Sequence, residues 1–380
     1  MISKTDIEKI TEAYRNNEIK KASHLGKIFY NDLPKSIKKV VEVSNFLVGN
    51  EPFGNIDELI DYSSHFDIIL AKRYFLEGNF KKYFNTILKT IENSKDTLTK
   101  LYGLKELKIS NQKKFDEIYS KYSSLEAQTV RSEYLKKFLS SNYTEAIKIA
   151  SEFTSQNNHA EIILDIADIW YHTGQYYELA NLCFSLQKEG KLSNYFSYLY
   201  AFSFFSSGKI YDATAILEKL LQIYPKNVNI LYNLANCYIQ LGKLRESEKL
   251  LLEAEKLFRS PSINFTKGVL YYKLGEYNTA KEEFTKSLGS NEFEFSSKYN
   301  IAICECNLGM YDSAIKRLIE IRNSSYVDRK NFERLDRTID IVRRIGRKIP
   351  SWLIILIILL ISSGISIGTY FVLSFINFLR

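Results

Sequence analysis

Five glycines, Gly174, Gly208, Gly242, Gly275 and Gly309, stand 34, 34, 33 and 34 residues apart. Other positions repeat in phase with them. Two residues after each glycine come Tyr176, Ile210, Leu244, Tyr277 and Tyr311, and five after it Leu179, Ala213, Ser247, Ala280 and Ala314. Seven before it stand Ala167, Ala201, Ala235, Gly268 and Ala302. Four before it a large ring recurs as Trp170, Phe204, Tyr238 and Tyr271, with Glu305 the exception. Small residues on both sides of a turn let two helices approach closely. A glycine between them ends the first helix, because it tolerates a left-handed backbone. One such hairpin cannot bury its own apolar face, so a chain with this period must stack its units against one another.

The period and the placing of small and large residues resemble the tetratricopeptide repeat family. The resemblance implies an all-α chain, an α-solenoid of about eight or nine helical pairs. Residues 160–328 hold five clear units, and residues 1–159 read as degenerate helical repeats. There Ala71, Tyr74, Gly78 and Phe80 keep phase, as do Tyr143, Ala146 and Phe153, and near the start Ile10, Ala13, Ala22, Phe29 and Pro34. Val41 to Ile60 fits poorly and reads as a loop. Residues 329–349 form a basic capping or juxtamembrane helix, with Phe332, Leu335, Ile339 and Ile345 at helical spacing. The scarcity of proline, 5 in 380 residues, agrees with a helical chain.

The far end is different. Ile349 to Leu379 carries no charged residue. Its heart, Trp352 to Leu373, reaches about 33 Å as a helix, enough for a hydrocarbon core of about 30 Å. The sequence therefore predicts one transmembrane helix over residues 350–373 and a short translocated tail, 374–380. Trp352 and Tyr370 sit near its ends, where amphipathic rings favour the interface. Arg329 to Lys348 holds eight basic and three acidic residues, so +5 of the chain's net charge of +8 lies beside the span. Basic flanks stay cytosolic, which predicts a tail anchor with the body in the cytosol. Arg343, Arg344, Arg347 and Lys348 are the residues placed to meet lipid headgroups. The polar, acid-containing N-terminus has no apolar run of the secretory kind.

No Gly-rich phosphate loop, nucleophile elbow or metalloprotease motif is present. Cys183, Cys237, Cys304 and Cys306 form no C-x-x-C pair, and His24, His65, His159 and His172 are scattered. The expectation is a non-enzyme without metal, cofactor, small-molecule substrate or nucleic acid. What remains is a protein-binding surface. In the repeat family the first helix of each hairpin lines a concave groove. Transferred to this sequence, those positions give Tyr198 and Phe202, then Tyr232, Asn233 and Asn236, then Phe265 and Tyr272, then Tyr299 and Asn300. Aromatic walls suit an apolar or amphipathic segment, and asparagine both donates to and accepts from a peptide backbone. Packing of the same rings against the protein's own helices is the competing reading.

Family members that bind the acidic tails of Hsp70 and Hsp90 chaperones carry lysines, an arginine and asparagines at fixed groove positions. One frame here reads Tyr198, Phe202, Asn233, Ser262 and Thr266, and the next Tyr232, Asn236, Thr266, Ser296 and Asn300. Neither supplies a cation. By architecture the chain resembles anchored receptors and adaptors at organelle membranes, including outer-membrane protein-import receptors. Its expected location is the mitochondrial (or a related organelle's) outer membrane or the endoplasmic reticulum. A membrane-bound co-chaperone and a bacterial inner-membrane assembly scaffold are the alternatives.

Overall fold

The structure is a computed structural model that describes residues 3–48, 50, 52–156, 160–289, 291–324 and 329–346. Among these residues all regular secondary structure is helical. They divide into two compact units, Met1–Leu241 and Gly242–Arg380. The expected span, 350–373, and the tail, 374–380, lie outside the described residues. Among the described residues no helix is long and apolar enough to cross a membrane.

In the first unit α1 (Lys4–Arg15) and α2 (Ile19–Phe29) form a hairpin, and a 3-10 turn at Tyr30–Asp32 leads into α3 (Lys35–Val48). A short α4 (Ile56–Leu59) precedes the hairpin of α5 (His65–Leu76) and α6 (Phe80–Asn93). Next come α7 (Thr97–Ser110) with α8 (Gln112–Tyr119), and α9 (Val130–Leu139) with α10 (Tyr143–Gln156). Then follow α11 (Ala160–Thr173) with α12 (Tyr176–Lys188), α13 (Asn194–Ser206) with α14 (Ile210–Ile223), and α15 (Val228–Gln240). The second unit holds α16 (Leu244–Leu257), α17 (Pro261–Lys273) with α18 (Tyr277–Lys286), α19 (Asn291–Asn307) with α20 (Tyr311–Arg322), and α21 (Arg329–Gly346).

The repeat positions do what their chemistry requires. Ala167, Ala201, Ala235 and Ala302 are fully buried. At Gly268 even one methyl group would come within 2.6 Å of the Phe284 ring. The turn glycines are left-handed, with φ of 76° at Gly174 and 75° at Gly242. In two degenerate hairpins the same place is taken by Asn17 and Ser141, with φ of 59° and 63°. Asparagine enters this region at low cost. Ser141 sits there with its Oγ 2.9 Å from Lys108 Nζ.

Two expectations need correction. Val41 to Ile60 is not one loop. Its first part belongs to α3, where Val41, Val43, Phe46 and Leu47 are buried, and Ile56–Leu59 is α4. The strict period fails there because α3 packs on α1, α2 and α5 without a long partner helix of its own. In α21 the buried stripe is Leu335, Ile339 and Val342, set against Ala302, Ala314, Leu318 and Ile321. Phe332 and Ile345 point out, 42% and 47% exposed.

The first unit is also tied across long sequence distances. The Asn227 amide at the start of α15 donates to the carbonyls of Phe75 and Leu76, both at 2.7 Å. These are terminal carbonyls of α5, which have no partner within their own helix. The α5–α6 turn lies so close that a Cβ on Gly78 would stand 2.5 Å from the Lys226 carbonyl oxygen. Gly78 and Gly208 share a left-handed backbone, with φ of 78° and 79°, but a Cβ on Gly208 meets nothing within 4 Å. We therefore expect Gly208→Ala to cost about 1–2 kcal/mol of stability, the penalty of a side chain in this region. Gly78→Ala adds a backbone clash and should lower the thermal midpoint clearly further. Equal shifts for the two variants in thermal unfolding would show that the α5 contact with residues 226 and 227 carries no stability.

Candidate functional site

The residues expected to line a groove fall into different surroundings. In the first unit Tyr198 is only 4% exposed. Its ring meets Phe75 at 5.7 Å, and its hydroxyl accepts from the Asn233 amide at 3.1 Å. Burial pushes that phenol well above its ordinary pKa, so it stays protonated. Tyr198 is therefore a packing residue, because α5 covers the face on which it stands. Phe202 is half-buried against Tyr171 and Tyr176. Tyr232, Asn233 and Asn236 remain half-exposed on α15, and the Asn236 amide donates to the Tyr232 carbonyl one turn back.

In the second unit Phe265 packs on Phe284 and Phe293. Tyr272 is partly exposed, with its ring near Tyr277 and its hydroxyl accepting from Asn307 at 3.3 Å. Tyr299 meets the capping helix: the Arg334 guanidinium stands 4.3 Å from its ring centre and Thr338 lies 3.3 Å from its hydroxyl. Asn300 is half-exposed on α19. Arg343 and Arg344 are exposed on α21, while Arg347 and Lys348 lie outside the described residues.

The interior of the first unit holds what the groove positions do not. Side chains from six helices converge there in a buried ionic network. Lys72 Nζ on α5 donates to Glu106 at 2.8 Å, Asp168 at 3.0 Å and the Tyr195 hydroxyl at 3.2 Å. Lys105 Nζ on α7 donates to Asp165 at 2.8 Å and Asp168 at 2.9 Å. Arg131 on α9 reaches Asp165 at 3.1 Å and Glu161 at 2.6 Å. The hydroxyls of Tyr83, Tyr134 and Tyr195 donate to Glu106, Asp165 and Asp168. At the rim His65 Nε2 lies 3.1 Å from Glu161.

Burial disfavours every charge here, and the neighbours decide the outcome. Desolvation opposes ionisation of Glu106, but Lys72 and Lys105 overcome it and hold the carboxyl down at about 2. Lys105 and Arg131 likewise hold Asp165 well below the usual carboxylate range against the effect of burial. Burial would lower Lys72, yet Asp168 and Glu106 keep it above its ordinary value. His65 has the reverse fate: burial, then the Arg131 charge, pushes it down to about 3, so the ring is neutral. Most of these groups pair within the set, while Glu106 Oε1 and Arg131 Nη2 are buried without a hydrogen-bond partner among the described residues.

Sequence reasoning missed this network, although a signal was present. Counting six residues back from three of the turns gives Lys72 from Gly78, Lys105 from Asn111 and Asp168 from Gly174, whereas Ser141 gives Leu135. The same count gives Phe202 from Gly208 and Asn236 from Gly242. One inward position thus changes along the chain from charged to aromatic to amide. Opposite charges at one repeat position on helices that share an interior are the signature of internal pairing. A second feature had no sequence signal. An apolar cavity of about 460 Å³ opens beside the α1–α2 turn, floored by Leu47, Val48, Leu182, Leu186 and Phe196. Its walls come from helices far apart in the chain.

Two family models, each described as tetratricopeptide repeat, match the chain over residues 204–262 and 261–293. Residues 204–293 thus carry tetratricopeptide repeats. No curated protein matches the chain. Among solved structures it is similar to yeast Tom70, at 12% identity and a TM-score of 0.45, covering 90% of each chain. It is also similar to the APC/C hetero-tetramer Cut9-Hcn1, at 12% identity and a TM-score of 0.34, over 91% of this chain and 84% of that one. BtubC (BKLC) from P. vanneervenii matches 54% of this chain and 88% of its own, at 19% identity and a TM-score of 0.32.

The network makes two predictions. Lys105→Met strips the cation from Asp165 and Asp168 and should destabilise the chain by about 3–5 kcal/mol in urea unfolding, the cost of a buried charge left without its partner. The second concerns pH. His65 titrates at 6.5 when unfolded but near 3 when folded, and Glu106 at 4.5 and about 2 respectively. Both folded values are depressed, so at these two sites the unfolded chain takes up protons first as pH falls; burial, then the Asp165 charge, pushes Glu161 beside His65 up to about 8, so there the folded chain does. Glu161 and His65 offset one another between pH 6.5 and 4.5, so thermal stability should change little there and drop steeply below pH 4.5. His65→Gln should leave Glu161 unopposed, so that stability rises as pH falls toward 4.5, and should keep the drop below it.

Proposed function

We propose that this chain is a protein-binding scaffold held at an organelle membrane by residues 350–373, with its repeats on the cytosolic side. The observation that carries the binding chemistry is where the inward-facing cations go. Lys72, Lys105 and Arg131 are each committed to carboxylates of their own unit. Carboxylate tails are held by charge-assisted bonds from lysine and arginine. With these cations paired internally, an acidic chaperone tail finds no partner at their positions.

The half-exposed Tyr232, Asn233 and Asn236 on α15 favour a different ligand, an apolar or amphipathic segment of a partner protein. The ring supplies contact area and the amides read its backbone. Family resemblance and an uncharged stretch of spanning length support a receptor or adaptor at the mitochondrial outer membrane or the endoplasmic reticulum.

Two experiments test this reading. Amphipathic and acidic peptides are titrated against the full chain in detergent by fluorescence anisotropy. Amphipathic peptides should bind, acidic peptides should not, and Tyr232→Ala with Asn236→Ala should weaken binding by roughly tenfold or more at unchanged helicity. Selective binding of the acidic peptides would reverse the assignment. Separately, a fluorescent protein fused to residues 345–380 should mark one organelle membrane. A fusion that stays diffuse in the cytosol would remove the anchor from the reading.

A further inference from the structure

Helix α21 has three faces with different chemistry. One is the buried stripe of Leu335, Ile339 and Val342 that closes the second unit. A second carries the three acids: Asp336 accepts from Arg322 at 2.9 Å, Asp340 lies 3.9 Å from Arg343, and Glu333 stands one turn before Arg337. At about 100° per residue, the third face carries Arg337, Ile341, Arg344 and Ile345, bordered by Glu333 on one side and on the other by Arg334, whose guanidinium stacks on Tyr299. All four are exposed, the two isoleucines by 57% and 47%.

Isoleucines between arginines are poorly suited to water. They are well suited to the boundary of a bilayer, where apolar side chains sink between headgroups and guanidinium groups stay among phosphates. The chain also sets a distance. Helix α21 ends at Gly346, and the uncharged stretch begins at Ile349. Three residues reach about 10 Å at most. If residues 350–373 span a membrane, the end of this face stands within about one Debye length of the headgroups.

We propose that the face formed by Arg337, Ile341, Arg344 and Ile345 lies flat on an anionic bilayer and so orients the second unit on the membrane. The proposal rests on the anchor reading above. It also reassigns the lipid contact within α21. Arg344 belongs to it, whereas Arg343 stands on the acidic side beside Asp340.

The test uses the full chain reconstituted into phosphatidylcholine vesicles with or without phosphatidylserine. A polarity-sensitive dye is attached through Ile341→Cys in a Cys306→Ser background, since the other three cysteines are buried. The expected result is a blue shift, with quenching by lipid-borne quencher, only when phosphatidylserine is present. High salt should abolish both, as should Arg337→Glu with Arg344→Glu, while Arg337→Lys with Arg344→Lys should keep them. Extraction at high pH reports insertion independently. A chain that resists extraction while its dye stays water-like overturns this proposal and leaves the anchor standing. A chain that washes off both vesicles overturns both. A dye blue-shifted equally in phosphatidylcholine vesicles without phosphatidylserine, and out of reach of the lipid-borne quencher, means that protein covers the face, and that also overturns the proposal.

Discussion

The first unit is organised around charges that have nowhere else to go. Lys72, Lys105, Asp165 and Asp168 are at most 1% exposed. Taking one such ion out of water costs several kcal/mol even after relaxation, and only well-placed partners return it. Lys72 lies on α5 and Asp168 on α11, so their 3.0 Å contact requires the hairpins between them to be stacked at the right height. Apolar residues of similar volume would serve stability as well or better. They would also tolerate sliding of one helix past another. The network therefore selects a register, and the hydroxyls of Tyr83, Tyr134 and Tyr195 each add a hydrogen bond to one of its carboxylates.

That arrangement decides where recognition is possible. A stack of helical hairpins usually offers its inner face to a ligand, and in α5, α7, α9 and α11 this face is spent on self-recognition. Toward α13 and α15 the chemistry relaxes. Tyr198 is still drawn into the interior, because Phe75 covers it. Phe202 is half-covered, and among the described residues Asn233 and Asn236 bond to neighbours in the adjacent and the same repeat. A ligand that replaced these contacts would sacrifice little, whereas one that entered between Lys105 and Asp165 would have to undo several paired charges at once.

How much of this was legible in the sequence follows from the range of each interaction. Turn glycines, buried alanines and the large ring four residues before the turn act within one hairpin or between adjacent ones, so they repeat at the period and could be read directly. Asn17 and Ser141 hid two turns because they are not glycine, yet both hold the left-handed backbone that the position demands. Helix α3 hid because it lacks a second helix and so breaks the period. The groove residues were placed by position alone. Position cannot say that Arg334 stacks on Tyr299, or that α5 covers Tyr198, since these contacts join segments the repeat does not relate. The charges six residues before the turns were visible, but their meaning depended on knowing that the helices share one interior.

The fading of the consensus upstream has a physical cause of the same kind. In an ideal stack each unit touches only its neighbours, so every unit must carry the full set of local packing residues. Here distant segments take over part of that task. Lys108 reaches from α7 to the final carbonyls of α9, donating to Phe138 and Leu139 at 3.0 and 2.8 Å. It lies beside Ser141, the residue that stands where a glycine would be cheaper. Asn227 does the same for α5 from some 150 residues away. Once helix ends are capped and charges paired by remote partners, a turn glycine or a small residue is worth less, and the sequence is free to drift from the pattern. The stability thus gained is non-local, and its loop-closure cost falls before its contacts form. The irregular part of the repeat is therefore the part most dependent on the whole unit being in place.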